Sequence, residues 1–154
     1  MGPGCDVGRL VRMVAAGFIA GFLATPVFHQ PVLAVLHVLS VTDRKVYNFD
    51  PIPPVGVPAL LSLSFWGGVW GIALAAAQDR FGRHHGDLGF AVLFGAIGPT
   101  LGTWFVSAPM HGRGLGGGWY AGEMLTSILV NGAWGIGTTL VLRRFLAAGL
   151  RRHL

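Results

Sequence analysis

The sequence has little charge, one cysteine and one lysine. Only 11% of its 154 residues are charged and 53% are hydrophobic, whereas soluble domains average about 25% charged residues. A soluble chain of this size needs more polar surface, so we expect a single integral membrane domain over residues 1–154. Because Cys5 is the only cysteine, an internal disulfide and a cysteine-based metal site are excluded. Because Lys45 is the only lysine, a Walker A loop is excluded.

Patterns typical of catalysis or of nucleic-acid binding are also missing. The glycine-rich stretch at 112–117 fits the letters of a dinucleotide-binding loop, but an apolar run precedes it where a strand is required. No Ser/His/Asp set or carboxylate pair can be defended, so nothing in the sequence points to an enzyme. The net charge of +5 comes from basic residues at the ends of apolar runs. This placement is typical of headgroup anchors, and nucleic acid is not an expected partner.

Four long apolar runs predict an all-α protein with four transmembrane helices. We place the spans at residues 10–30, 58–78, 88–106 and 119–142, since about 20 residues cross the hydrocarbon core. Pro26 and Pro31 interrupt the first run, and each removes a backbone donor. The first span is therefore predicted to kink or break there, and we favour a break. Residues 32–41 then form either a tilted continuation or a short helix at the interface.

Basic residues are distributed unevenly between the two sides of the predicted bundle. Eight of the eleven lie at the N-terminus, in the turn between the second and third spans, or after the fourth span. The other three, Arg44, Lys45 and Arg113, lie in the two loops on the opposite side. Because cytoplasmic loops carry the excess of arginine and lysine, both termini are predicted to be cytoplasmic.

An internal repeat relates the two halves of the chain. A shift of 64 residues aligns the second span with the fourth, for example Trp70 with Trp134. A shift of 72 residues aligns the first span with the third, for example Gly17 with Gly89. This predicts a duplicated helical hairpin, two plus two, related by an axis along the membrane normal. The alternative is chance recurrence of glycine, tryptophan and phenylalanine in apolar helices.

Three stretches between Phe28 and Thr138 also carry a family resemblance. They read FHQ, PPVGVPALLSLSFWGGVWGI and NGAWGIGT. In these motifs the chain resembles a family of small four-span bacterial membrane proteins of uncharacterised function. The resemblance covers most of the chain, and it implies the four-span architecture and a bacterial inner membrane. It implies no activity, since the motifs are tied to no known chemistry.

Polar residues inside apolar spans are the first candidates for a site. Glu123 is predicted to lie about one turn inside the fourth span, either as a proton or cation relay or as an acid at the start of a helix. Asn131 lies near the middle of the same span, where it forms an interhelical hydrogen bond or lines a pore. Gln30 is a third intramembrane polar candidate, beside the prolines of the first span.

Histidines on the predicted outer face are weaker candidates. His29, His37 and His111 are placed there together with Glu123, and a metal or haem site on that face would have His29 at its centre. No HxxxH-type spacing supports such a site, so no metal ligand is assigned and the cofactors stay unknown.

Small residues are predicted to form the contacts between helices. A GxxxG spacing permits close approach of two helix backbones in lipid. The candidate packing glycines are Gly17, Gly21, Gly67, Gly71, Gly132 and Gly135.

Three classes of function remain open. The first is an accessory or assembly subunit of a larger membrane complex, in contact with other subunits. The second is a small oligomeric channel or transporter with Glu123 and Asn131 in the path. The third is a haem, metal or quinone-linked redox protein. The expected partners are the lipid bilayer and either other membrane subunits or further copies of the chain.

Overall fold

The structure is a computed structural model, and it shows an all-α membrane protein with almost no sheet. It describes residues 3–81 and 87–150, with side chains described at 7–81 and 87–145. Four helices are long and apolar enough to cross a membrane, which confirms the predicted four-span architecture: Val7–Val38, Ala59–Arg80, Leu88–Met110 and Ala121–Phe145. The predictions for the side chain of Cys5, for the basic turn Arg83 to His85, and for Arg151, Arg152 and His153 fall outside the described residues.

The spans are built from six α-helices and two π-helical turns. The α-helices are α1 (Pro3–Ala24), α2 (Gln30–Val38), α3 (Ala59–Arg80), α4 (Leu88–Gly102), α5 (Ala108–Met110) and α6 (Ala121–Leu150). The π-helical turns, Thr25–His29 and Thr103–Ser107, join α1 to α2 and α4 to α5. The first loop contains a small antiparallel ribbon, in which β1 (Pro51–Ile52) pairs with β2 (Val57–Pro58).

The first span continues through its two prolines as a helix, so the favoured break is wrong. Ala24, His29 and Gln30 all keep helical backbone angles, with φ between −67° and −62°. The π-helical turn takes up the irregularity, since the N–H of Gln30 bonds to the carbonyl of Thr25, five residues back. Residues up to Val38 therefore belong to one irregular helix.

A loop residue compensates for the second proline. Pro31 has no N–H to donate to the carbonyl of Pro26, the acceptor five residues before it. The hydroxyl of Tyr47 donates to that carbonyl instead, at 2.9 Å. The free carbonyl is thus satisfied from the loop, and the helix does not have to end.

The first two spans cross where four glycines meet. A Cβ placed on Gly21 would overlap the carbonyl of Gly67, and a Cβ on Gly71 would overlap the carbonyl of Gly17. The two backbones are therefore in direct contact, with no room for side chains between them. Since Gly17 lies opposite Gly71 and Gly21 opposite Gly67, the two helices run antiparallel.

The third and fourth spans cross in the same manner. A Cβ on Gly95 would overlap the carbonyl of Asn131, and a Cβ on Gly135 would overlap the carbonyl of Ala91. Asn131 and Gly135 follow Gly67 and Gly71 by 64 residues, the shift read from the sequence.

The packing gives a different shift for the other two spans. Ala91 and Gly95 occupy the places of Gly17 and Gly21, which they follow by 74 residues. The predicted shift of 72 residues made Gly89 the counterpart of Gly17, whereas in the packing that counterpart is Ala91. Two residues turn a helix by about 200°, so the alignment by letters matched opposite faces.

Two tryptophans join the hairpins in a reciprocal way. Trp134 of the second hairpin is 2% exposed, and its Nε1 donates to the carbonyl of Gly21 in the first hairpin at 2.9 Å. Trp70 of the first hairpin lies against Gly98 and Gly102 of the second. Trp70 and Trp134 are also 64 residues apart, so each repeat uses its tryptophan to pack on the other.

The start of α1 and the end of α6 lie at one end of the bundle, because successive spans run antiparallel. We call this the termini end. The loops at residues 39–58 and 111–120 lie at the opposite end, which we call the loop end.

Candidate functional site

Glu123 is the third residue of α6, and its carboxylate is held by the first loop. Thr42 Oγ1 donates to Oε1 at 2.7 Å, and Arg44 Nε donates to Oε2 at 2.6 Å. Arg44 Nη2 lies 2.6 Å from Oε2 as well, and the two side chains are only 22% and 24% exposed. The acid inside the span is therefore an ion-paired carboxylate at the loop end.

Arg44 also binds the first turns of α6 beyond the carboxylate. Its Nη2 donates to Ser127 Oγ at 3.0 Å and approaches the carbonyl of Glu123 at 3.4 Å. Ser127 Oγ in turn donates to that carbonyl at 2.9 Å. The guanidinium thus fastens the loop to the fourth span.

The sequence did not single out Arg44, Thr42 or Ser127 as site residues. Arg44 was considered only as one of three basic residues on that side of the membrane. The sequence did contain an indication of Arg44, since an acid inside a span needs a cation nearby. Only Arg44, Lys45 and Arg113 were on the correct side to supply it.

A buried hydrogen-bond chain continues from Ser127 toward the middle of the bundle. Thr100 Oγ1 donates to the carbonyl of Ser127 at 3.2 Å, and Asn131 Nδ2 donates to Thr100 Oγ1 at 3.0 Å. Asn131 is 8% exposed and Thr100 is 1% exposed. Asn131 therefore makes an interhelical hydrogen bond between the third and fourth spans, one of the two roles considered for it.

Gln30 is buried and fixes the same loop from the first span. Its Oε1 accepts a hydrogen bond from the backbone N–H of Tyr47 at 2.8 Å. Together with the bond from the Tyr47 hydroxyl to Pro26, this attaches the loop to the π-helical turn. The loop is thus fastened to two spans, the first through Tyr47 and the fourth through Arg44.

The structure does not bring the three candidate histidines together around Glu123. His29 is buried in the first span, and its Nδ1 has no hydrogen-bond partner among the described residues. His37 Nδ1 lies 3.2 Å from the carbonyl of Thr42. His111 is exposed, with Nδ1 2.7 Å from the carbonyl of Ser107. Of the three, His37 is linked to Glu123 through Thr42, whose hydroxyl donates to the carboxylate.

Polar groups lie toward both ends of the fourth span, with an apolar cluster between them. Toward the termini end, Gln78 Nε2 donates to Thr139 Oγ1 at 3.1 Å. Trp134 comes between Asn131 and Thr139 along α6, and it packs in a buried apolar cluster with Leu74 and two alanines. The hydrogen bonds of Asn131 and of Thr139 are thus separated along α6 by Trp134, at whose level Trp134 Nε1 and Thr25 Oγ1 both donate to the carbonyl of Gly21.

An apolar groove runs along the lipid-facing side of the fourth span. Its volume is about 640 Å³, and it lies between α2, the loop-end part of the first span, and the third span. Val92, Ala96, Leu129, Gly132 and Ala133 line it, and the other lining residues are also apolar. The groove therefore offers no side chain that hydrogen-bonds.

The chemistry of the loop-end cluster is hydrogen bonding and charge pairing. Among the described residues there is no group of three His, Cys, Asp or Glu side chains that could hold a metal ion. A comparison of the chain with protein-family models, curated proteins and solved structures finds no match.

Proposed function

We propose that this chain is an accessory or assembly subunit of a larger complex in the bacterial inner membrane. The observation that carries the proposal is the use of its intramembrane polar groups. Glu123 is bonded to Arg44, and Asn131 to Thr100, all within one chain. Polar residues that serve transport or proton relay face a cavity or a pathway. Here Glu123 and Asn131 hold segments of the chain together, as is expected of a packing scaffold.

The lipid-facing surface supports an assembly role. Large aromatic side chains such as Phe65, Trp66 and Phe105 are more than half exposed, and the groove adds a concave apolar surface on the fourth span. Helices in lipid associate through close packing of such surfaces, with small residues at the contact. We propose that the GxxxG pair Gly67 and Gly71 rigidifies the first hairpin, so that the surface keeps one shape.

The proposed orientation places both termini in the cytoplasm. The support is the excess of arginine and lysine at the termini end, eight residues against three. A reporter fused after Leu154 that is active only in the cytoplasm is expected to be active. A C-terminal tag that is reachable only from outside the cell would overturn the orientation.

The assembly role is tested by purification and by complementation. The tagged chain, extracted in mild detergent, is expected to migrate on native gels with a membrane protein in fixed stoichiometry. Deletion of the gene is expected to reduce the assembled form of that partner. The Glu123→Gln variant is expected to restore assembly, because the side chain has a structural and not a chemical task in this proposal.

A transporter would behave differently in the same experiments. Solute movement along Glu123 and Asn131 requires the apolar cluster around Trp134 to open and the pair with Arg44 to separate. If the purified chain alone moved a solute into liposomes, and Glu123→Gln abolished that flux, the accessory role would be wrong.

A further inference from the structure

The first and third spans share a local design near the loop end. Each contains a π-helical turn, Thr25–His29 or Thr103–Ser107, and a proline follows each turn by two residues. Each turn begins with a threonine whose hydroxyl donates to the carbonyl four residues before it, at 3.2 Å for Thr25 and 3.0 Å for Thr103. Prolines, π-helical turns and such hydroxyl bonds are the usual causes of helix bending. The two turns are therefore the places where these spans bend most easily.

An aromatic residue of the following loop contacts each π-helical turn. The Tyr47 hydroxyl donates to the carbonyl of Pro26, within the first turn, at 2.9 Å. The indole of Trp119 packs on the second turn, with its ring centroid 6.1 Å from that of Trp104 and 6.3 Å from that of Phe105. Each turn is thus held by the loop that follows its own span.

Both aromatic residues have a strained backbone. φ is 47° at Tyr47 and 59° at Trp119, in the left-handed region that bulky residues avoid. Each lies seven residues after the residue with positive φ that follows the short helix, Ser40 after α2 and Gly112 after α5. Such strain persists only where surrounding contacts enforce it, and it is concentrated at binding sites and switch regions. Its occurrence at corresponding places in both loops indicates that the two residues share one task.

The part of the first span beyond its turn is packed less tightly than the part before it. α2 packs on the fourth span through Leu33 and Leu36 against Val130. On another side, α2 forms a wall of the apolar groove, which separates it from the third span. α1, in contrast, crosses α3 with the two backbones in direct contact. Since segments with few buried contacts open at the lowest free energy, α2 is the part of the span that moves most easily.

We infer that each π-helical turn is a hinge and that the aromatic residue of the following loop locks it. Tyr47 holds α2 through its hydroxyl on Pro26 and its backbone N–H on Gln30 Oε1. The same loop segment is fixed to the fourth span through Arg44 and Glu123. Release of Tyr47 relieves its backbone strain and lets α2 tilt about the turn. Because α2 is a wall of the groove, this motion changes the width of the groove.

Distances between spin labels in lipid nanodiscs test the first hinge. On a Cys5→Ser background, Val11→Cys and Val38→Cys place nitroxides on either side of the turn, at positions that are 60% and 81% exposed. The two positions are 27 residues apart, which is about 40 Å along a straight helix. Tyr47→Phe removes only the hydroxyl. It is expected to raise the population with a shorter distance about fivefold, which corresponds to a lost hydrogen bond of about 1 kcal/mol.

Two controls show whether the change is local. Tyr120→Phe removes the hydroxyl of a tyrosine in the other loop that is 72% exposed, and it is expected to leave the distance distribution as in the parent. Labels at Leu61→Cys and Arg80→Cys lie on exposed positions of α3, which contains no π-helical turn. The distance between these labels is expected to stay unchanged in the Tyr47→Phe variant.

Amide hydrogen exchange tests the second hinge. Trp119→Leu removes the indole from the turn at Thr103–Ser107, and it is expected to speed exchange at residues 104–110 about fivefold while α2 exchanges as in the parent. Tyr47→Phe is expected to do the reverse, since it speeds exchange in α2 alone. If either variant speeds exchange equally in all four spans, the residue supports the whole bundle and the inference is wrong.

The spin-label result decides the inference independently of the assembly role. If Tyr47→Phe leaves the distance between labels 11 and 38 unchanged, Tyr47 does not lock the turn and the inference is wrong. If the α3 pair changes as much as the pair across the turn, the bundle has loosened as a whole and no hinge exists. Co-purification with another membrane subunit tests the assembly role, and its failure leaves the hinge as it is.

Discussion

The Arg44–Glu123 pair should contribute measurably to stability, and a double-mutant cycle gives its size. Glu123→Gln keeps the shape and removes the charge. Hydrogen bonds to charged groups contribute about 1.5–3 kcal/mol, whereas exposed ion pairs contribute about 0–1 kcal/mol. Both side chains are roughly three-quarters buried, so we expect a loss of about 1.5 kcal/mol. Arg44→Met leaves the carboxylate without this cation. We expect it to lower the free energy of unfolding by about 2–3 kcal/mol, less than the 3–5 kcal/mol lost when one partner of a fully buried pair is removed.

The double variant Arg44→Met with Glu123→Gln is expected to lose about 1–1.5 kcal/mol less than the sum of the single variants. The free energy of unfolding is measured in mixed micelles titrated with a denaturing detergent, with the five tryptophans as the fluorescence signal. Lys45→Met is the matched control, because the Lys45–Asp50 pair is 70% and 60% exposed and should change stability by less than about 0.5 kcal/mol. Additive single variants, or an Arg44→Met effect no larger than that of Lys45→Met, would refute a coupled pair.

Three further variants test the contacts inside the bundle by the same unfolding assay. Trp134→Phe removes the indole donor to the first span and should destabilise by about 1 kcal/mol; no change would mean that the bond is not formed. Gly71→Ala forces two backbones apart and should destabilise the protein by about 1–3 kcal/mol. Gly8→Ala is the control, since nothing lies within 4 Å of the added Cβ, and it should be neutral or stabilising. Equal effects would contradict the close crossing of the first two spans. Asn131→Leu should lose about 0.6–1.7 kcal/mol. Thr100→Val should then cost less in the Asn131→Leu background than in the parent, although it also removes the bond to Ser127, and equal costs in the two backgrounds would exclude the bond between Asn131 and Thr100.

The spans were predictable from the sequence because lipid imposes a simple rule. A segment that crosses hydrocarbon must be long, apolar and internally hydrogen-bonded. The second span was predicted at 58–78 and runs over Ala59–Arg80, and the third was predicted at 88–106 and extends to Met110. The ends differ by a few residues because helices continue beyond the apolar run that identifies them.

The path of the first span was not predictable from local rules. A proline weakens a helix through the donor that it lacks, and two prolines therefore indicated a break. One contact that supports the continuous helix comes from Tyr47, a residue 16 positions after Pro31, whose hydroxyl bonds to the carbonyl of Pro26. No pattern within the span itself contains that information.

The candidate site was predictable in part. Glu123 and Asn131 were identified because an acid or amide within an apolar span requires a partner. Their partners, Arg44 and Thr100, lie 79 and 31 residues away in sequence, and only the packing of the hairpins brings them close.

The two hairpins share one crossing geometry but are held by different forces. In lipid, helices gain no hydrophobic energy from association, so close packing and hydrogen bonds must hold them. The first hairpin relies on glycines with aromatic rings packed over them. In the second hairpin, Asn131 occupies the position that corresponds to Gly67, and it bonds to Thr100. Val92 and Ala96 occupy positions at which the first hairpin has aromatic rings. A hairpin that is held by hydrogen bonds does not need aromatic rings over its helix crossing. The groove lies where those rings are missing.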